Sequence, residues 1–184
     1  TQDSLRLITL ILRDFNIDAK NTKPRMLLSR ISSAKNELID HETFLSNTQL
    51  SAEKDAAIES VIAQVYREYQ NRLTIANAFD FDDLIGSTVA LMQLFPEVAN
   101  MYRRRFRHIM VDEYQDTNHA QYMLIKELVG TVAASADSPP PGELCVVGDA
   151  DQSIYAFRGA TIRNIEEFER DYPNASTILL EQNY

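Results

Sequence analysis

One cysteine among 184 residues, Cys145, leaves this chain with no disulfide and no cysteine-rich metal site, a composition suited to a reducing compartment. Cys145 lies in the apolar run LCVV and is expected to be a small buried hydrophobe. No run approaches the roughly 20 apolar residues of a membrane span, and no charged-then-apolar leader opens the chain, so a soluble, cytoplasmic protein without a membrane partner is expected. None of the five glycines, Gly86, Gly130, Gly142, Gly148 and Gly159, precedes a lysine, which excludes a GxxxxGK[ST] phosphate-binding loop within these residues. Excess positive charge is also missing: the net charge of -9 argues against a generic polyanion binder.

The acid is unevenly placed. Residues 1–78 carry ten Lys/Arg and ten Asp/Glu, whereas 79–184 carry eight and seventeen. The length suits one ordinary domain or two small ones. The chain opens TQDSLRL without Met and stops at LLEQNY after a strand-like run, so both ends read as cuts from a larger protein.

Residues 1–78 read as helical throughout. Leu5, Ile8, Ile11, Leu12 and Phe15 recur at helical spacing, and Pro24 opens a second helix through Leu27, Leu28, Ile31 and Leu38. Ile58, Val61, Ile62, Val65, Tyr66, Tyr69 and Leu73 form one stripe on a helix from about 51 to 73, more in keeping with core than with a binding face. In FDFDDL, Asp80 stands three residues before Asp83. Either these acids cap a helix and complement its dipole, or Asp82 and Asp83 hold a junction between two domains.

After RRRFR the pattern becomes α/β. HIMV reads as a strand, NHAQYMLIKELVG as a helix stopped by Gly130, ELCVVGD as a second buried strand, TIRNIEEFERDY as a helix and STILLE as a third strand. The fold class expected is therefore α/β: a helical subdomain over 1–78, then a partial parallel sheet with flanking helices over 79–184. Pro139 to Pro141 mark a surface loop. RRRFR reads as a solvated basic face that offsets the acidic half, the alternative being phosphate contact with Phe106 packing inward.

In an open parallel sheet, ligands collect at the carboxyl ends of the strands. Two polar clusters fall there, VDEYQD and GDADQSIYAFRG. Asp112 beside Glu113 suits nucleotide hydrolysis, with Asp112 the metal candidate and Glu113 the base that activates water. Gln115 and Gln152 are neutral amides able to report a phosphate without adding charge. Tyr155 and Phe157 beside Arg158 form a candidate stacking platform for unpaired bases, or else simply pack under the sheet.

VDEYQDTN, then GDADQSIYAFRGA, then LEQNY resemble motifs II, III and the start of IV of the UvrD/Rep/PcrA-type superfamily 1 DNA helicases, and FDFDDL resembles the segment just upstream. The resemblance spans nearly the whole chain. By this resemblance residues 1–78 match the inserted helical subdomain 1B, and 79–184 the later part of the first RecA-like motor domain, 1A, without its Walker A segment, so the partial parallel sheet is expected to be RecA-like. The resemblance implies ATP-dependent 3′-to-5′ translocation on single-stranded DNA and at single-strand/duplex junctions, in repair or replication restart, with possible repair-protein partners. Carried over, Asp112 binds Mg²⁺, Glu113 activates water, Gln115 couples nucleotide state to the motor and Gln152 approaches the γ-phosphate. Tyr155 and Phe157 contact bases, and Tyr184 stacks on adenine; several members have Trp where this chain has Phe157. ATP and Mg²⁺ are thus cofactors of a longer parent, and this chain alone is expected to bind neither tightly, to hydrolyse no ATP and to unwind no DNA.

Two other functions fit the residues less fully. A Mg²⁺-dependent nuclease would gather Asp112, Glu113, Asp149 and Asp151. A non-catalytic module would bind duplex DNA or protein through the helical part. His41, His108 and His119 lack ligand spacing, and no Ser/His constellation supports nucleophilic catalysis.

Overall fold

A computed structural model describes residues 1–18, 22–50, 56–130, 138–149, 168 and 170–179. Four helices come first: α1 (Gln2–Asp14), α2 (Pro24–Asn36), α3 (His41–Leu50) and α4 (Ala56–Ile75). Thr1 caps α1 by accepting from the Ser4 N–H, and Pro24 occupies the first turn of α2, where its missing N–H costs nothing. The stripes meet as their spacing predicts. Ile8, Ile11 and Leu12 of α1, Leu27 and Ile31 of α2, and Ile62, Val65 and Tyr69 of α4 share one buried core. Ile58, placed on that stripe by periodicity, is exposed one turn before it.

Two details of this part differ from the sequence reading. Leu38 is not helical: α2 ends at Asn36, and Leu38 takes a left-handed conformation (φ 56) that lets Ile39 N–H donate back to Ala34 O at 2.9 Å. The second is α3, whose apolar residues make no periodic stripe. It is held through Phe44 and His41, both edge-on to Tyr66, whose hydroxyl donates to Ile39 O at 3.0 Å.

Helices α5 (Phe81–Leu94) and α6 (Pro96–Arg105) lead into β1 (His108–Val111); α7 (His119–Val129) then crosses to β2 (Glu143–Val146). The strands pair in parallel, with His108 opposite Glu143 and Val111 opposite Val146. Helix α5 packs on α2, α6 and α7. Gly130, at φ 78, stops α7 as expected. No helix among the described residues is long and apolar enough to cross a membrane.

The strands are half-buried, which corrects the expectation of buried strands and of a buried Cys145. Alternation turns Ile109, Val111, Leu144 and Val146 inward and leaves Met110 (81% exposed), Cys145 and Val147 on a face that no described element covers. The expected third strand is also corrected: residues 176–179 pair with no described strand, and Ile178 and Leu179 are exposed. A strand exists only through its neighbour, and residues 180–181 lie outside the described set. Most of the expected helix over 161–172 lies outside it too; Phe168, Arg170 and Asp171 are helical.

The basic run is more structural than a solvated face. Arg103 donates to the α7 carbonyl of Glu127 at 2.7 Å and pairs with its carboxylate at 2.9 Å, while Arg107 reaches the carbonyls of Pro140 and Pro141, anchoring the proline loop. Phe106 does not point inward; it is exposed and stacks on Tyr102.

Candidate active site at the carboxyl edge of the sheet

The sheet's bonding continues past its last paired residues. Val147 N–H donates to Val111 O at 2.8 Å, and Tyr114 N–H donates to Val147 O at 2.9 Å. Between these bonds the chain reverses. Asp112 Oδ1 accepts from the Glu113 N–H at 2.8 Å, Glu113 itself is left-handed (φ 49, ψ 43), and a single 3-10 turn follows over Tyr114–Asp116. The reversal sends Tyr114 and Gln115 into the interior and leaves both Asp112 and Glu113 facing solvent.

Gln115, only 3% exposed, joins the two strand ends. Its Nε2 donates to Glu113 Oε2 at 2.6 Å, and its Oε1 accepts from the Asp149 backbone N–H at 3.0 Å. Since the carboxylate can only accept and the N–H can only donate, the amide orientation is fixed by its partners. Gly148 makes the approach possible: a Cβ there would lie 2.7 Å from Gln115 Oε1 and 3.3 Å from the backbone nitrogens of Tyr114 and Gln115. The turn is closed from behind by Thr117, whose hydroxyl donates to Tyr114 O at 2.7 Å, and by Asn118, which forms a reciprocal cap with Gln121 at the start of α7.

Asp112 stands at a strand end, open to solvent, with one oxygen engaged by its neighbour's N–H. Among the described residues no three His, Cys, Asp or Glu side chains gather to hold a metal. The donor set fits Mg²⁺ in its usual nucleotide-site form, in which one or two carboxylates, water and phosphate oxygens share the ion. Asp149 is brought to the turn through its backbone N–H, while Asp151 lies outside the described residues, as do Gln152, Tyr155, Phe157, Arg158 and Tyr184.

A second polar cluster joins the helical part to α5. Lys35 Nζ, buried, lies 2.7 Å from Asp80 Oδ2 and 2.8 Å from Asp83 Oδ1. Asp80 and Asp83 also form a reciprocal cap at the start of α5; Tyr69 hydroxyl donates to Asp80 at 3.0 Å, and Gln70 Nε2 to Asp83 at 3.3 Å. Burial alone would raise the Asp80 carboxyl; the hydrogen bond from Lys35 and the Asp83 N–H outweigh it and hold Asp80 below its ordinary value. Lys35 is bonded to Asp80 and Asp83 rather than to Asp82: burial pushes the Asp82 carboxyl up, opposed in part by a hydrogen bond with Ser32 of α2 and by the nearby charge of Lys35. Asp80 and Asp83 therefore both cap α5 and tie its start to α2. The D-x-x-D spacing signals the cap, but nothing local marks Lys35 as the buried partner.

Among the described residues, seven α-helices and a parallel strand pair with acids at its carboxyl edge place the chain among α/β folds with a partial parallel sheet. The chain belongs to the UvrD/REP helicase family: the UvrD/REP helicase N-terminal domain matches residues 1–173. It is 62% identical over 183 residues to ATP-dependent DNA helicase UvrD1 of Mycobacterium tuberculosis (strain ATCC 25618 / H37Rv), covering 99% of this chain and 23% of that protein. It is 50% identical over 184 residues to ATP-dependent DNA helicase PcrA of Bacillus subtilis (strain 168), covering 100% of this chain and again 23% of the relative. The PcrA of Staphylococcus aureus (strain NCTC 8325 / PS 47) is 46% identical over 184 residues. The chain thus spans about a quarter of the length of these relatives.

Proposed function

We propose that this chain is part of an ATP-dependent DNA helicase that moves 3′-to-5′ on single-stranded DNA, acts at single-strand/duplex junctions and serves cytoplasmic DNA repair or replication restart. The observation that carries this reading is the Gln115 bridge, which ties the Glu113 carboxylate to the backbone at the end of the neighbouring strand. A carboxylate so held is oriented toward solvent at the edge where a phosphate would arrive. The relatives' names, each an ATP-dependent DNA helicase, support the same reading.

In this assignment Asp112 holds Mg²⁺, which when bound neutralises charge on the phosphate oxygens. Glu113 accepts the proton of the attacking water. Gln115 holds Glu113 and transmits any shift of the loop after Gly148. Gln152 approaches the γ-phosphate, Tyr155, Phe157 and Arg158 meet DNA bases, and Tyr184 stacks on adenine. Residues 1–78 form the helical subdomain and 79–184 part of the motor domain. Because these residues contain no phosphate-cradling loop, the isolated chain is inactive in hydrolysis and unwinding.

The test is steady-state ATPase activity of the full-length parent, with and without single-stranded DNA, beside Glu113→Gln. DNA-stimulated turnover that collapses in the variant is expected. A parent that never hydrolyses ATP, or a variant as active as the parent, would leave the acids structural and favour a non-catalytic DNA- or protein-binding module.

A further inference from the structure

Asn118 has three of its hydrogen-bonding groups committed to the cap of α7. Its Oδ1 accepts from the Gln121 N–H at 2.9 Å, its own N–H donates to Gln121 Oε1 at 2.9 Å, and its carbonyl accepts from the Tyr122 N–H at 3.0 Å. Capping requires the side-chain oxygen to face the helix, so the Nδ2 group must point away from it. It donates to Asn36 Oδ1 at 3.1 Å, across 82 positions of sequence. Asn36 is the last residue of α2. It is fixed on one side by Lys35, locked between Asp80 and Asp83, and on the other by the left-handed reversal at Leu38. The bond therefore joins a rigid end of the helical part to the rear of the turn that carries Asp112, Glu113 and Gln115.

We propose that Asn36 is a positioning residue for the DNA stimulation of hydrolysis, not for resting turnover, linking the rear of the acidic turn to the helical part so that DNA engagement elsewhere in the molecule reaches Glu113. This rests on the ATPase reading above. Without the bond the turn keeps its own contacts, Glu113 N–H to Asp112, Gln115 to Glu113 and Tyr114 N–H to Val147 O, so its resting geometry persists. What is lost is the side-chain tie between Asn118 and the end of α2.

The experiment compares full-length parent, Asn36→Ala and Asn36→Asp for kcat and KM of ATP hydrolysis, with and without single-stranded DNA. Alanine removes the acceptor; aspartate keeps one in the same place. In Asn36→Ala, DNA-stimulated kcat should fall about twofold to tenfold, the scale of one lost hydrogen bond. DNA-free kcat and the KM for ATP should stay at the parent's values, and Asn36→Asp should restore stimulation. An alanine variant that matches the parent overturns the proposal. So does one that loses DNA-free and DNA-stimulated turnover alike, the mark of general loosening, or an aspartate variant that fails to restore stimulation. An inactive parent would instead show in its own assay and would remove the ATPase reading together with this inference.

Discussion

Glu113 occupies a backbone region that a non-glycine residue enters at a cost of roughly 1–3 kcal/mol. The cost is carried by the surrounding bonds: Tyr114 N–H to Val147 O on one side and Gln115 to the Glu113 carboxylate on the other. Nothing in the residue type signals this conformation, since Glu has no preference for it. The pairing of Asp112 with Glu113 after HIMV was legible; the way Gln115 is wedged beneath them was not. Gly148 is the complement of that wedge. Gly148→Ala should push the Gln115 amide off both partners and cost about 1–3 kcal/mol, the usual range for overpacking a tight site. Urea denaturation of the variant against the parent checks this; an unchanged midpoint would mean that Gln115 moves aside freely.

At the scale of elements, the contact between α2 and α5 depends on Lys35. The ammonium faces two carboxylates and also lies 5.1 Å from the centre of the Tyr69 ring. Replacing it with Met leaves Asp80 and Asp83 buried without their cation. Lys35→Met should therefore destabilise by about 3–5 kcal/mol, well beyond a surface ion pair. A double-mutant cycle with Asp83→Asn should show a combined loss smaller than the sum, because the second change removes one of the stranded charges. Strict additivity would mean the pair does not interact. The D-x-x-D cap on α5 was legible from its spacing; its attachment to α2 through Lys35, and the tie of the α7 cap to Asn36, were not.

For the whole molecule, stability at low pH follows from a few carboxylates with opposite displacements. The Thr43 backbone N–H lowers Asp40; at Asp80 the Lys35 bond overcomes burial; and hydrogen bonds from Lys126 and Tyr122 lower Asp171. A carboxyl lowered by folding contributes stability that is present above its ordinary value of 3.8 and lost as pH falls through its folded value. Asp82 works the other way: burial raises it, so its ionisation opposes folding and its protonation on acidification brings relief. Among the described residues these three lowered carboxyls, set against the raised Asp82, give net acid destabilisation. The urea midpoint should fall progressively once the pH drops below about 4. Asp82→Asn should raise the midpoint near neutrality and deepen the fall in acid, because it removes an opposing group; an identical pH profile in the variant would contradict this.

Sequence alone determined the helical character of the first part and its helices α1, α2 and α4, the parallel strand pair, the position of the acids at its carboxyl edge and the resemblance to the helicase family. These rest on short-range periodicity, capping spacings and contiguous motifs. Tertiary structure decided which acids meet a cation, that Gln115 spans two strand ends, that Arg103 and Arg107 serve the fold, and that Met110 and Cys145 face outward. The reason is separation along the chain: Lys35 meets Asp80 across 45 positions and Asn36 meets Asn118 across 82. Such meetings are set by how helices and strands pack against one another, and no local pattern of residues encodes them.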